Sequence, residues 1–373
     1  MIEIEKNKIL LFASEKNWVE GDSLMQLKKT SELTGMKLSC GMPDIHPGKG
    51  GPVGASFICE LIYPHLIGND AGCGAGLFKT SLRSGRLKTE KWIKKLKGLE
   101  NTPERDLDEW MTENNVESSD HDKALGTIGG GNHFAELNKV NEIFDQKIFE
   151  EAGLDLKYLN LLVHSGSRGY GEVLYRSHTS KSGASPLVPD SDDAINYIEK
   201  QNKVLKWAKS NRKLIAERFM DRLNGDSQLI TDSNHNSIVS IKQSEKNYWL
   251  HRKGAVPADD GLVMVLGSRG TLSYLVKPTN DCEKSAWSIA HGAGRKWNRG
   301  NCRGRLEKKW GVKDLERTDI GSTVICRNKD LLYEEAPQAY KNIDMVINDM
   351  INDGLIELVA SFKPLITYKT RKK

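Results

Sequence analysis

The chain has 373 residues and a net charge of +5, from 55 lysines and arginines against 50 aspartates and glutamates. This length fits either one large α/β unit or two domains. The mild positive charge permits a polyanionic partner such as RNA but does not establish one. No apolar run approaches the roughly 18 residues that a membrane-spanning helix needs.

The six cysteines follow no disulfide framework, and the first 20 residues do not resemble a secretory signal. We therefore expect a cytoplasmic protein with reduced thiols and no membrane partner. The C-terminal YKTRKK, residues 368–373, is a small basic cluster. A polyanion contact and a solvated terminus explain it equally well.

The first half of the chain alternates between apolar and charged segments. Residues 1–80 are expected to be rich in strands, since apolar stretches are broken by glycine and proline loops. Residues 85–120 are charged and favour helix. Residues 159–166 (LNLLVHSG) form a short apolar run before turn residues, which predicts a buried strand with His164 at its C-terminal end.

Residues 192–223 form the longest periodic segment and predict a helix that begins near Pro189 and Asp190. Lysines and arginines fill its polar face, which favours a surface helix with a solvated basic face. The apolar positions are Ala194, Ile198, Leu205, Ala208, Ile215, Phe219 and Leu223.

The C-terminal third predicts a strand leading into a glycine turn at 261–271, a helix within 336–354 and a last strand at 355–369. Strands that feed loops and are separated by helices indicate an α/β (α+β) enzyme. Because no linker rich in proline, glycine and serine interrupts the chain, we expect a single domain over residues 1–373.

Histidines recur in short runs of glycine, serine and asparagine. Glycine lets the backbone approach a ligand closely, so such loops are suited to aiming side chains at one. Each motif alone is explained more simply by a hydrogen-bonded structural histidine, and the joint occurrence is what indicates a site. The histidines concerned are His46, His133, His164, His235, His251 and His291.

Asp70 and Cys73 stand in a D-x-x-C spacing within GNDAGCG. Taken alone, the pair is equally well read as a turn beside a buried cysteine. Its position between glycines, with histidines on similar loops, favours metal ligands. A carboxylate, a thiolate and several imidazoles predict a catalytic metal site with open positions, although mixed ligation does not identify the metal.

A second set of motifs suits a phosphate-rich substrate. His291 precedes Arg295 and Lys296 in AHGAGRKW, where a histidine could attack phosphorus while cations balance the phosphate charge. Residues 267–273 (GSRGTLS) offer backbone N–H groups and hydroxyls. Arg252 and Lys253 follow His251 and add further cations.

Together these motifs resemble the RtcB family of GTP-dependent RNA ligases. The resemblance runs from about residue 35 to the C-terminus and rests on GMPDIHPGKGGPVGA, GNDAGCG, GGGNHFAE, HSGSRG, HRKGA, GSRGT and AHGAGR. It implies the fold of that family, with two Mn²⁺ ions in a central cleft. It also implies ligation of RNA ends bearing a 2′,3′-cyclic phosphate or 3′-phosphate to ends bearing a 5′-hydroxyl.

Carried onto this sequence, the resemblance implies that one Mn²⁺ is bound by Asp70, Cys73 and His133. Cys73 would bridge to the second ion, which is also held by His164 and His235. His291 would attack the α-phosphate of GTP and carry GMP as a phosphoramidate. The guanylate would then pass to the RNA 3′-phosphate, and GMP would leave when the 5′-hydroxyl attacks.

The nucleotide site is implied in the same way, with Glu136 accepting the N1 and N2 protons of guanine. Its residues would be Asn132, His133, Phe134, Ala135, Glu136, His235, Asn236, Ser268, Arg269, Ser273, His291, Gly292, Ala293, Gly294, Tyr340 and Lys369. The cations expected to serve RNA or the triphosphate are Arg168, Arg252, Lys253 and Arg295.

The sequence departs from the family pattern at several points. Family members commonly carry GSMG where this chain has GSRG at residues 267–270. Arg269 could hold RNA or nucleotide phosphates, or form an internal ion pair with a carboxylate. The context of His235 and the residues after Lys369 also differ, and the chain is short for the family.

The short form resembles a bacterial branch encoded beside a release-factor homologue, which implies translation-associated RNA, a ribosome or a release-factor-like protein as partner. Two other functions stay open. One is a metal-dependent cyclic phosphodiesterase or phosphohydrolase that joins no ends, which would need neither His291 nor a guanylate pocket. The other is a non-catalytic RNA- or ribosome-binding protein.

Overall fold

Three β-sheets and the helices packed on them form the described part of the chain in a computed structural model, which covers residues 1–6, 8–243, 245–259 and 261–370. The strands are β1 (Ile2–Glu5), β2 (Ile9–Leu11), β3 (Met36–His46), β4 (Val53–Cys59), β5 (Gly74–Arg83), β6 (Phe134–Ile143), β7 (Tyr158–Ser165), β8 (Ser227–Asn234), β9 (Asn236–Gln243), β10 (Lys246–Lys253), β11 (Ala255–Pro257), β12 (Val263–Val265), β13 (Ser273–Pro278), β14 (Ser288–Ala290), β15 (Thr323–Cys326) and β16 (Ile356–Thr370).

The α-helices are α1 (Gly21–Ser31), α2 (Thr89–Lys95), α3 (Leu107–Glu113), α4 (Gln146–Glu151), α5 (Gly169–Ser182), α6 (Asp192–Leu223), α7 (Arg299–Leu306), α8 (Val312–Leu315), α9 (Lys329–Glu334) and α10 (Ile343–Asn352). Short 3₁₀ turns cover Pro64–Ile67, Asp122–Ala124, Asn280–Ser285 and Pro337–Ala339. The mixture of sheets and helices confirms the predicted α/β class. Among the residues described, no helix has both the length and the apolar character that a bilayer crossing requires.

The largest sheet has the strand order β12-β13-β16-β6-β7-β5-β8, and β15 pairs in parallel with β16. Its two edge strands lie close to each other. The Thr231 hydroxyl on β8 donates to the Leu262 carbonyl, just before β12, at 2.5 Å. The sheet therefore curls toward closure. The central strands β6, β7, β5 and β8 lie side by side, and this order positions the functional loops.

A second sheet has the order β1-β2-β3-β4-β10-β9, and β11 pairs with β14 in a small third sheet. Residue 235 alone separates β8 of the large sheet from β9 of the second sheet. One buried cluster draws on all three sheets, through residues such as Met42, Ile289 and Val276. The sheets thus share a hydrophobic core.

Helix α6 confirms the predicted helix at 192–223. The Ala194 N–H donates to the Ser191 hydroxyl, which caps the helix, and Asn224 ends it with a left-handed φ of 57°. Its apolar side packs on the large sheet. The expectation that the arginines of this helix lie on a solvated face is wrong for Arg212 and Arg218, which are 0% and 6% exposed.

The other predicted elements agree with the structure in part. Strand β7 and the last strand β16 are confirmed. Helix α1 lies within residues 1–80, which were expected to be rich in strands. The helix was not predicted because its segment is polar and only weakly periodic. Helices α2 and α3 occupy only parts of residues 85–120. Residues 371–373 of the basic tail lie outside the described residues.

Candidate metal and nucleotide site

The predicted metal ligands meet at one end of the large sheet because of strand register. Cys73 directly precedes β5, whose Ala75 pairs with His164 on β7. On the other side of β7, His164 pairs with Phe134, the residue after His133. Gly74 pairs with Asn234, the residue before His235. Antiparallel pairing therefore places four ligand-bearing positions from four separate segments next to one another.

Two groups of potential ligand atoms result, and they share one residue. Asp70, Cys73 and His133 form the first, and Cys73, His164 and His235 form the second, with the ligand atoms of each group within 4.8 Å of one another. Cys73 Sγ lies 3.4 Å from Nε2 of both His133 and His164. His133 Nε2 lies 3.0 Å from Asp70 Oδ2.

The charge state of these groups suits a cation. Burial, followed by neighbouring imidazoles, lowers the pKa of His164 and His235 well below the usual value, so both stay neutral and can act as ligands. Burial and then the Asp70 carboxylate raise the pKa of the Cys73 thiol. A thiolate at this position needs a compensating positive charge, which a bound metal ion supplies. The residues present therefore fit a metal.

Arg212 on α6 forms hydrogen bonds to the segments that carry the predicted metal ligands. Its guanidinium donates to the carbonyls of Gly72 and Ser165, at 2.9 and 2.8 Å, and to the Asn234 side chain at 2.7 Å. Each acceptor is adjacent in sequence to a predicted ligand. Asp232 balances the charge through Oδ2, 2.8 Å from Nε. Arg212 was not among the predicted site residues, although it lies on the apolar face of α6, in helical spacing with Ala208 and Ile215.

His291 follows β14 and lies beside the second ligand group, with its ring centroid 4.8 Å from that of His235. Its Nδ1 is 2.6 Å from Oδ2 of Asp44, which is fully buried at the end of β3. The contact has ion-pair distance but not the alignment of a full hydrogen bond, and neither atom has a hydrogen-bond partner among the described residues. The carboxylate nonetheless favours a proton on Nδ1, which leaves the lone pair on Nε2.

A cavity of about 220 Å³ opens in front of His291. Many of the predicted nucleotide residues line it, namely Asn132, Phe134, Ser268, Arg269, His291, Gly292, Ala293, Gly294, Tyr340 and Lys369. His46, Arg295, Arg299, Glu335 and Thr367 line it as well. Residues from motifs that are distant in the sequence therefore line the same cavity.

The remaining predicted nucleotide residues lie behind or beside that wall. Glu136 is 3% exposed, and its Oε2 accepts a hydrogen bond from the Thr367 hydroxyl at 2.5 Å. The Ser273 hydroxyl accepts from the Gly267 N–H at 3.0 Å. Asn236 donates to the Asp70 carbonyl and accepts from the Gly254 N–H, so its side chain braces the loops. Ala135 is buried within β6, and His133 and His235 belong to the ligand groups.

Glu335 anchors the cationic end of the cavity and was missed by the sequence analysis. Its carboxylate accepts from the Tyr340 hydroxyl at 2.5 Å and from Arg295 Nη1 at 3.1 Å. Lys369 Nζ lies 3.7 Å away and Arg299 3.8 Å away. Burial opposes its ionisation, but these cations outweigh burial and lower the pKa of Glu335. One buried carboxylate thus organises several polar groups around the cavity.

Lys253 and Arg252, which were expected to serve RNA or the triphosphate, form hydrogen bonds within the protein. Lys253 Nζ donates to the carbonyls of Lys49 and Gly51, at 2.6 and 2.9 Å. Arg252 donates to the Ser288 hydroxyl and the Trp287 carbonyl. In the same motif, His251 Nε2 accepts from the Tyr63 N–H at 2.9 Å. The HRKGA segment therefore holds loops around the site.

Arg168 borders a neighbouring groove and extends the basic character of the site. That groove also contains Asp70, Asn132, His133 and Arg299. Asn132 and Arg299 thus face both the groove and the cavity in front of His291. A polyanion lying in the groove could reach the metal ligands from this side.

The chain matches a family model described as "tRNA-splicing ligase RtcB" over residues 26–105 and 97–370. It is 43% identical to a protein named RNA-splicing ligase RtcB2 from Escherichia coli strain ATCC 25922, over 97% of this chain and 95% of that protein. A tRNA-splicing ligase RtcB from Archaeoglobus fulgidus is 28% identical over 93% and 91% of the two chains. An RNA-splicing ligase RtcB from Escherichia coli K12 is 26% identical over 94% and 95%. The site geometry and these matches agree, and the chain belongs to the RtcB family.

Proposed function

We propose that this RtcB-family RNA ligase joins RNA ends bearing a 2′,3′-cyclic phosphate or 3′-phosphate to 5′-hydroxyl ends, with GTP and two Mn²⁺ ions. The observation that carries the proposal is the position of His291, between the Asp44 carboxylate and a paired set of metal-ligand groups. A hydrolase needs no such nucleophile. The family match supports ligation over hydrolysis and over simple RNA binding.

His291 is the nucleophile in this proposal. With its proton held on Nδ1 by Asp44, Nε2 attacks the α-phosphorus of GTP, the bond to pyrophosphate breaks, and a nitrogen–phosphorus bond forms. Asp44 then balances the positive charge of the substituted imidazole. An oxygen of the RNA 3′-phosphate next attacks this phosphorus and releases His291. The 5′-hydroxyl finally attacks the activated RNA phosphate, and GMP leaves.

Asp70, Cys73 and His133 would hold one ion, and Cys73, His164 and His235 the other. Bound Mn²⁺ would neutralise phosphate charge and polarise phosphorus–oxygen bonds. The pairing of two ligand groups through one thiol supports two ions. Asn132, which lines both cavity and groove, is positioned to orient a phosphate between His291 and the ligand groups.

We also propose that the whole chain acts as one catalytic domain. Asp44 comes from the second sheet and the metal ligands from the large sheet, so neither sheet completes the site alone. A ribosome or a release-factor-like protein as partner rests on the resemblance to the short bacterial branch.

An RNA-joining assay tests the proposed function. We expect the protein, with GTP and MnCl₂, to join an RNA ending in 2′,3′-cyclic phosphate to one starting with 5′-hydroxyl. A matched pair ending in 3′-hydroxyl and 5′-phosphate should stay unjoined. Opening of the cyclic phosphate without any joined product would contradict ligation and support the phosphodiesterase instead.

Glu136 should make guanosine binding depend on pH. Burial raises its pKa to about 7, while a hydrogen bond from Thr367 partly opposes this shift. The N1–H and N2–H groups of guanine need the ionised carboxylate, so affinity is present above the pKa and is lost as pH falls through it. We expect guanosine to bind roughly tenfold more weakly at pH 6 than at pH 8.

Titration calorimetry without metal measures this effect, because guanosine has no phosphate to titrate. Glu136→Gln carries no titratable carboxyl and should bind guanosine weakly with a flat pH profile. An unchanged pH dependence in that variant would assign the titration to another group.

A further inference from the structure

Arg269 is a buried cation with most of its hydrogen-bonding capacity unused. It is 6% exposed and lines the cavity in front of His291. Its Nη2 donates to the Leu332 carbonyl at 2.8 Å, whereas Nε and Nη1 have no hydrogen-bond partner among the described residues. A buried guanidinium with unmet donors is costly, so an acceptor from a bound ligand is expected.

Neighbouring carboxylates do not meet this need. Within the described residues, Arg269 has no ion pair at 4 Å or less, and Glu335 is already shared by Tyr340, Arg295 and Lys369. The Arg269 carbonyl accepts a hydrogen bond from the Ser322 hydroxyl at 2.9 Å, and this bond holds the backbone in place. The described contacts therefore contain no internal ion pair of Arg269, which was the predicted alternative. The side chain is held in place, but its Nε and Nη1 donors have no partner among the described residues.

The position of Arg269 indicates which part of a nucleotide it would meet. The segment that carries it begins at Leu266, whose N–H donates to the His291 carbonyl at 3.0 Å. The Arg269 side chain lines the cavity together with Glu335, Tyr340 and Lys369. Lys369 is on β16, where Thr367 pairs with Glu136 on β6. Arg269 thus lies with the groups at the Glu136 end of the cavity, whereas His291 defines the phosphorus end.

We propose that Arg269 donates to O6 of the guanine base and sets the preference for 6-oxo over 6-amino purines. This inference rests on the proposed function, in which a guanine nucleotide occupies the cavity with its α-phosphorus at His291. Glu136 then accepts the N1 and N2 protons, and Arg269 supplies the donor for O6. Adenine carries an amino group at that position, so its N–H bonds would face the N–H bonds of Arg269.

Metal-free titrations with guanosine, GMP and GTP test this role on the full-length protein. Arg269→Met should weaken all three by the same factor, about tenfold to a hundredfold, because the lost contact is to the base they share. The preference for guanosine over adenosine should fall by a similar factor. Arg303→Met is the control, since Arg303 is exposed on α7 and pairs with Glu307 and Asp330 outside the cavity. It should bind all three ligands as the parent does.

A ligand change keeps the test informative if Arg269→Met folds poorly. 6-Thioguanosine keeps the N1 and N2 protons but replaces O6 by a weaker acceptor, so the parent should bind it more weakly than guanosine. That difference should shrink in Arg269→Lys, which keeps the charge but not the guanidinium geometry. Equal binding of both nucleosides by the parent would overturn the proposal.

Other outcomes separate the inference from the function on which it rests. A loss confined to GTP would assign Arg269 to the phosphates, and unchanged binding of guanosine, GMP and GTP in Arg269→Met would make it structural. Either result overturns the inference and leaves the ligase proposal intact. A parent that binds no guanine nucleoside and gains no GMP from GTP would contradict the proposed function itself.

Discussion

Replacing His291 by alanine should abolish transfer of GMP from GTP to the protein. In the parent, incubation with Mn²⁺ and GTP should add the mass of one GMP, in an adduct that is labile in acid and stable in base. The variant lacks the imidazole nitrogen that attacks the α-phosphorus, so we expect labelling to fall by at least about a thousandfold. Mass spectrometry and GTP labelled at the α-phosphate measure this directly.

Two comparisons make the result specific to His291. His178→Ala removes a histidine whose Nε2 lies 2.9 Å from the Ser185 carbonyl, outside the cavity, and should label normally. Asp44→Asn keeps the shape beside Nδ1 but removes the carboxylate that orients the ring, and should slow labelling by about 10²- to 10⁴-fold. If His291→Ala labelled as well as the parent, another residue would be the nucleophile.

Cys73→Ser should remove metal from both ligand groups, because both contain Cys73. The serine hydroxyl stays protonated at neutral pH and lacks the soft, polarisable sulfur. Loss of an outer partner of a metal ligand already costs about 10- to 100-fold in affinity, so loss of a shared ligand should cost at least as much. GMP transfer should be lost together with the metal.

Metal analysis of dialysed protein checks this prediction. Cys282→Ser is the matched control, since Cys282 is also buried but donates to the Leu355 carbonyl away from the ligand groups. His235→Ala should weaken only the group it shares with His164 and leave the Asp70 group occupied. Retention of both ions and of activity in Cys73→Ser would return Cys73 to a structural role.

Local sequence patterns were enough to predict the candidate ligands of the site and several of the regular elements. Helix α6 follows from apolar periodicity, and strands β7 and β16 follow from local apolar segments. The candidate ligands and His291 stand out because imidazoles, a thiolate and a carboxylate on glycine-rich loops are chemically distinctive. These loops also carry the family resemblance, so the family was evident before any contact was known.

The residues that contact and orient those candidate groups are identified only by contacts across the fold. Asp44 and His291 are 247 positions apart, and nothing local to either predicts their contact. Glu335 and Arg212 gain their roles through burial among partners from other segments. Arg252 and Lys253 were expected to serve RNA or the triphosphate, and the structure shows that both donate to groups of other segments of the protein. Strand register and burial set these pairings, and both depend on the whole fold, whereas the sequence pattern reports only spacing along the chain.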